Sequence, residues 1–112
     1  MGYSAHMDEI LDRLGVSSRQ IEEFCRKWRI VRLELFGSVL RDDFDTTSDV
    51  DVLVTFDGSV RHKIADYLDM EEEMAGMVGR RVDLIERRLV ETNPNWIRRR
   101  RILESARLLY AA

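Results

Sequence analysis

Two aspartates stand two residues apart in the stretch FGSVLRDDFDTTSDVDVLV, residues 36–54. Their neighbours Val50, Val52 and Val54 suit a strand. A strand repeats every two residues, so Asp49 and Asp51 share one face, roughly 6–7 Å apart along the backbone, while the valines face a core. Like charges this close are unfavourable unless a cation stands between them. Carboxylate oxygens are hard ligands that suit Mg²⁺, which takes few protein carboxylates and completes its shell with phosphate oxygens and water. A third acid, Asp83, sits mid-strand between Val82 and Leu84, an expensive place for a charge without a task. If its strand lies beside the first, the three carboxylates can hold two Mg²⁺ ions roughly 3.5–4 Å apart. That spacing serves to activate an attacking oxygen and stabilise a leaving one. Asp83 is also the candidate to accept the proton of the attacking hydroxyl.

Gly37-Ser38 lies ten residues before Asp49. Glycine permits a close backbone approach, and a helical turn beginning there aims free N–H groups at an anion. Ser38 adds a hydroxyl donor and Arg41 a forked cationic one. The assembly reads as a triphosphate seat opposite a divalent-metal seat. Neither GxxxxGK[ST] nor GxGxxG is present, so it is not a Walker or dinucleotide loop. A plainer reading makes Asp49 and Asp51 strand-end acids that satisfy turn amides, with Ser48 a loop hydroxyl.

The elements that must position these residues follow from periodicity. Ile10, Leu11 and Leu14 mark a helix over 8–14, ended by Gly15. Ser17 and Gln20 form a capping-box pattern ahead of Ile21, Phe24, Cys25 and Trp28, an amphipathic helix with Cys25 in the core. Residues 30–36 alternate as a half-buried strand, and 39–48 read as a turn of helix and a loop. Residues 49–56 form the second strand, and 61–78 a helix in which Glu71, Glu72 and Glu73 are a solvated face and Met70, Met74 and Met77 adaptable packing. His62 reads as a surface residue. Residues 81–86 are the third strand. Asn93 caps a last helix with Pro94 at its first position, Trp96 as a core anchor and an apolar series running to Leu109 and Tyr110. The fold class is α/β (α+β): a small mixed three-stranded sheet packed with helices.

A chain of 112 residues holds one core. Residues 1–6, MGYSAH, read as a cloning remnant, leaving 7–112 as the single domain. One cysteine excludes an internal disulfide framework and a cysteine-rich zinc site. With no spanning segment or signal peptide in view, the expectation is cytoplasmic and not membrane-bound. The net charge of −3 hides a strong polarity. Residues 80–112 carry nine arginines against four acids, a balance of +5, and the remainder stands at −8. Arg98–Arg101 read first as a solvated face, then as a surface for an acidic partner, and last as an RNA contact; no interleaved aromatics support stacking on single strands. Direct nucleic-acid binding is not expected. Arg87 and Arg88 are candidates to touch phosphates.

Gly37-Ser38, ten residues, then Asp49-x-Asp51 resembles the GS-x10-DxD signature of the DNA polymerase β-like nucleotidyltransferases. It is similar above all to the minimal nucleotidyltransferase (MNT) antitoxins of HEPN/MNT toxin–antitoxin pairs. Leu35-Phe36-Gly37-Ser38, Arg41, Ser48 to Val54 and Val82-Asp83-Leu84 carry the resemblance, which extends over residues 8–112. One departure is Leu40-Arg41-Asp42-Asp43, where the family often has smaller residues. The resemblance implies the nucleotidyltransferase fold, with Asp49, Asp51 and Asp83 catalytic and metal-binding and Gly37, Ser38 and Arg41 on the nucleotide. It also implies Mg²⁺, two ions, with ATP as substrate. The acceptor would be a tyrosine of a HEPN-type toxin, whose AMPylation neutralises it. Two alternatives stand beside it: an antitoxin that works by occlusion without catalysis, and a small-molecule nucleotidyltransferase of the aminoglycoside type, for which a homo-oligomer would supply the extra surface.

Overall fold

The computed structural model describes residues 5–40 and 47–112, with side chains from residue 9 onward except that of Ser38. Two helices, α1 (Ala5–Leu14) and α2 (Ser18–Trp28), precede strand β1 (Ile30–Phe36). A 3₁₀ turn, Gly37–Leu40, follows it, and then β2 (Val50–Phe56), α3 (Ile64–Val78) and β3 (Val82–Glu86). The chain closes with α4 (Arg87–Glu91), α5 (Trp96–Ser105) and β4 (Arg107–Ala111). The capping box forms as expected: Ser17 Oγ accepts from Gln20 N at 3.1 Å, and Gln20 Oε1 accepts from Ser17 N at 2.9 Å. Arg29, left-handed at φ 59°, ends α2 and turns the chain directly into β1.

The sheet order is β3-β2-β1-β4. β1 is antiparallel to both β2 and β4, and β2 runs parallel to β3 through the α3 crossover. One face carries Leu33, Leu35, Val50, Val52 and Val54 into the main core, packed with Ile21, Met70 and Met74 of the helices. The other carries Phe36 and Leu53 into a smaller cluster with Val90, against which Ile85, Ile102 and Leu103 pack.

The sheet therefore has four strands, not three. Leu109 and Tyr110 belong to β4, not to a continued helix. RLLYA is built of residues that tolerate a helix, but β1 would otherwise leave a row of backbone donors and acceptors unpaired. With β4 in place β1 is central, and its alternation does not make it half-buried. Glu34 is only 4% exposed, beneath α4 and α5. A buried carboxylate needs a partner, and Arg87 Nη1 lies 2.7 Å from both Glu34 oxygens.

Several local expectations shift by tertiary packing. α3 starts at Ile64, with Asp66 accepting from Lys63 N at 2.8 Å. The cap of the last helix is Asn95, which accepts from Arg98 N at 3.1 Å, while Asn93 accepts from Asn95 N in the turn before it. Trp96 is 58% exposed, because Ile102, Leu103 and Ala106 take the inward side of α5. The Glu71–Glu73 face is not merely solvated: Glu71 accepts from Leu84 N of β3 at 2.8 Å, and Glu73 binds Lys27 and Trp28 Nε1. His62 is enclosed rather than surface-exposed, with Nε2 2.8 Å from the Trp28 carbonyl and its ring 4.6 Å from that of Phe56. Cys25 is buried as expected, and burial pushes its thiol pKa up to about 12. Among the described residues no helix is long and apolar enough to cross a membrane.

Candidate active site

Parallel pairing of β2 with β3 sets Asp51 opposite Asp83. Asp49 is the residue before β2, two from Asp51, and the pleat returns it to the same face. That face is the one on which α4 and α5 lie, since its next row contains Leu53 and Ile85. The three acids therefore gather where the two parallel strands begin, at the margin of the smaller apolar cluster. They have an apolar floor on one side. Asp83 has a side chain 43% exposed, with Arg81 Nε 3.9 Å from its Oδ1. Val50 N donates to the Arg81 carbonyl at 2.9 Å, which pins the entry of β2 to that of β3.

The turn after β1 comes down onto the same spot. Phe36 is the register partner of Asp51, and Gly37 follows with φ +79°. A Cβ at residue 37 would stand 2.4 Å from Asp51 Oδ2. Only glycine permits both the left-handed backbone and so close an approach to the carboxylate. The sequence pointed to a close approach here; its target is the second aspartate itself. Ser38 is the next residue of the 3₁₀ turn, and a helical turn leaves its first N–H groups without intrahelical partners. The expectation for Arg41 falls outside the described residues, as does that for the Ser38 hydroxyl.

Donor chemistry fits a hard divalent cation: three carboxylates, on one face, partly open to water. Among the described residues no three acidic, histidine or cysteine side chains are drawn close enough together to hold a metal ion. The fit therefore lies in the donor set and its placement, not in a closed cage.

Arg87 and Arg88, the candidates to touch phosphates, are engaged in ion pairs within the fold. Both follow β3, at the end opposite Asp83. Arg87 is held by Glu34 and Glu91, and Arg88 by Glu86. A cavity of about 540 Å³ opens at that far end, lined in part by Phe56, His62, Tyr67, Glu86 and Arg88. Sequence reasoning missed it, because it is made by α3 folding back over the ends of β2 and β3. Tyr67 donates to the Glu86 carboxylate, and burial together with that neighbour pushes its phenol up to about 12. On α5, Arg99 donates to the Asn93 carbonyl and Arg100 pairs with Glu104. Both contacts are local and leave the arginine run on the surface.

Residues 17–109 match the model of the nucleotidyltransferase domain, and the chain belongs to that family. A protein of Methanocaldococcus jannaschii, assigned by inference as a protein adenylyltransferase, is 32% identical over 68 residues, 61% of this chain and 67% of its own. A solved structure assigned as a minimal nucleotidyltransferase superposes with a TM-score of 0.63 at 25% identity, covering 95% of this chain and 98% of that one. A chain from the complex of a tri-AMPylated Shewanella oneidensis HEPN toxin with an MNT antitoxin shares the fold. Its TM-score is 0.53 at 14% identity, over 85% of this chain and 70% of that one.

Proposed function

We propose that this nucleotidyltransferase is a Mg²⁺-dependent protein adenylyltransferase of the cytoplasm. It transfers AMP from ATP to a tyrosine hydroxyl of a HEPN-type toxin and so acts as its antitoxin. The observation that carries the reading is the meeting of three elements. Asp51 and Asp83 pair across β2 and β3, Asp49 leads into β2, and the Gly37 turn presses against Asp51. The M. jannaschii relative and the AMPylated toxin complex support protein as the acceptor class.

In this reading each residue has one task. The turn at Gly37 and Ser38 binds the β- and γ-phosphates through backbone N–H groups and the serine hydroxyl, with Arg41 adding charge. Asp49, Asp51 and Asp83 would hold Mg²⁺, two ions, which supplies charge neutralisation on the triphosphate and polarises the oxygens that attack and leave. The acceptor hydroxyl oxygen forms a bond to the α-phosphorus, and the bond from that phosphorus to the α–β bridging oxygen breaks. Pyrophosphate carries away the electron pair. Asp83, with a side chain 43% exposed, takes the hydroxyl proton and passes it to water.

The test is the intact mass of the protein that co-purifies with this chain, before and after ATP and Mg²⁺. The expected result is a gain of whole AMP units on that partner, absent with Asp49→Ala. A stable complex without mass change refutes transfer to protein and leaves occlusion. Pyrophosphate release without partner modification points to a small acceptor.

A further inference from the structure

Among the described residues, the three acids share their face with Arg81. Val50 lies opposite Val82 and Asp51 opposite Asp83. Val50 N donates to the Arg81 carbonyl, so the same register, carried back one residue, sets Arg81 across from Asp49. The pleat then puts residues 49, 51, 81 and 83 on one face. Three corners of this block are carboxylates and the fourth is a guanidinium. Arg81 reaches along its own strand to Asp83 at 3.9 Å, with a side chain 76% exposed. The attraction between the two exposed charges is electrostatic.

We propose that Arg81 is a positioning residue of the acidic face. Its guanidinium is the resident counter-cation of Asp83, and it must give way before that carboxylate binds a divalent cation. The inference rests on reading the three acids as metal ligands. Carboxylates crowded on one face repel, and a neighbouring guanidinium lowers the local charge by one unit. The same charge competes with an incoming cation. An exposed ion pair contributes little, so the competition is worth a modest factor and is strongest at low salt. Arginine suits the role because it never loses its proton and its planar fork can release one carboxylate and take up another oxyanion.

The experiment is a Mn²⁺ titration followed by electron paramagnetic resonance on the free protein, with no nucleotide present. Wild type, Arg81→Gln, Arg81→Lys, Arg81→Glu and Asp51→Asn are compared at low and high salt. Arg81→Gln should tighten Mn²⁺ binding about two- to fivefold. Arg81→Lys should bind as wild type does, and Arg81→Glu more tightly than either. The differences should shrink at high salt. A residue that mattered only for folding would weaken binding on substitution, never tighten it. Equal or weaker binding in both Arg81→Gln and Arg81→Glu overturns the inference. If Asp51→Asn abolishes Mn²⁺ binding in that case, only the role of Arg81 falls. If Asp51→Asn leaves Mn²⁺ binding intact, or no variant binds Mn²⁺, the metal reading of the acids falls as well.

Discussion

Gly37→Ala separates stability from chemistry at this site. Two penalties meet at the position. The backbone at φ +79° is left-handed, which costs a residue with a Cβ about 1–2 kcal/mol. The new Cβ would also sit 2.4 Å from Asp51 Oδ2, where ordinary contact begins at 3.4 Å, so roughly 1 Å of movement is required. What moves is decided by stiffness. The turn is tied to β1, while the atom it meets is the end of an aspartate side chain. The carboxylate will swing aside at small cost in stability, and in the proposed reading that swing displaces a metal ligand. A misplacement of about 1 Å at a reacting centre costs on the order of 10²-fold in rate. Gly79→Ala is the matched control, because Gly79 caps α3 at φ +67° with nothing within 4 Å of its added Cβ. Urea denaturation should show similar losses for the two variants, about 1–2 kcal/mol each. Pyrophosphate release should fall about 10²-fold for Gly37→Ala and hold near wild type for Gly79→Ala. Gly37→Ala activity within threefold of wild type would refute the placement of Asp51 beneath the turn, as would an equal loss in Gly79→Ala.

Three further outcomes follow from the packing. Glu34→Ala leaves the Arg87 guanidinium with Glu91 as its remaining partner and should cost about 3 kcal/mol in urea denaturation, at the lower end for a broken buried pair because Arg87 is 25% exposed. Cys25, with its thiol raised to about 12, should resist a disulfide-exchange reagent at pH 8 in the folded protein and react on unfolding. Tyr67 titrates near 10 when unfolded and about 12 when folded, so its contribution is complete below pH 10 and is lost as the pH rises toward 12. Tyr67→Phe should flatten the denaturation midpoint across that window, and an unchanged slope would show that Glu86 does not hold the phenol.

What could be read from the sequence was what depends on neighbours in the chain. The period of two puts Asp49 and Asp51 on one face whatever surrounds them, and a βαβ crossover returns Asp83 alongside. The Ser17 capping box closes within one turn of helix. What could not be read depends on partners far along the chain. β4 forms because β1 needs a second neighbour, not because of any strand preference in RLLYA. His62 is enclosed because Trp28, Phe56 and Tyr67, from three different elements, converge on it. Glu71 and Glu73 look like solvent-facing charges until α3 lies against β3 and α2. Trp96 looks like a core residue until shorter side chains further along α5 fill the space.

The same division explains why the acids sit where they do. A carboxylate in the middle of this sheet must be neutralised, as Glu34 is by Arg87, and a neutralised carboxylate has nothing left to bind with. At the starts of β2 and β3 the acids keep one side against the apolar floor, and their side chains stay partly exposed. Floor and rim come from different elements: Leu53 and Ile85 with α4 and α5 make the first, and the Gly37 turn approaches Asp51 at the second. The motif supplies the charges, and the strand ends place them together on one face. At 14% and 25% identity to two solved structures it resembles, this chain keeps the fold, and within it the turn, the two strand entries and their register together place the acids.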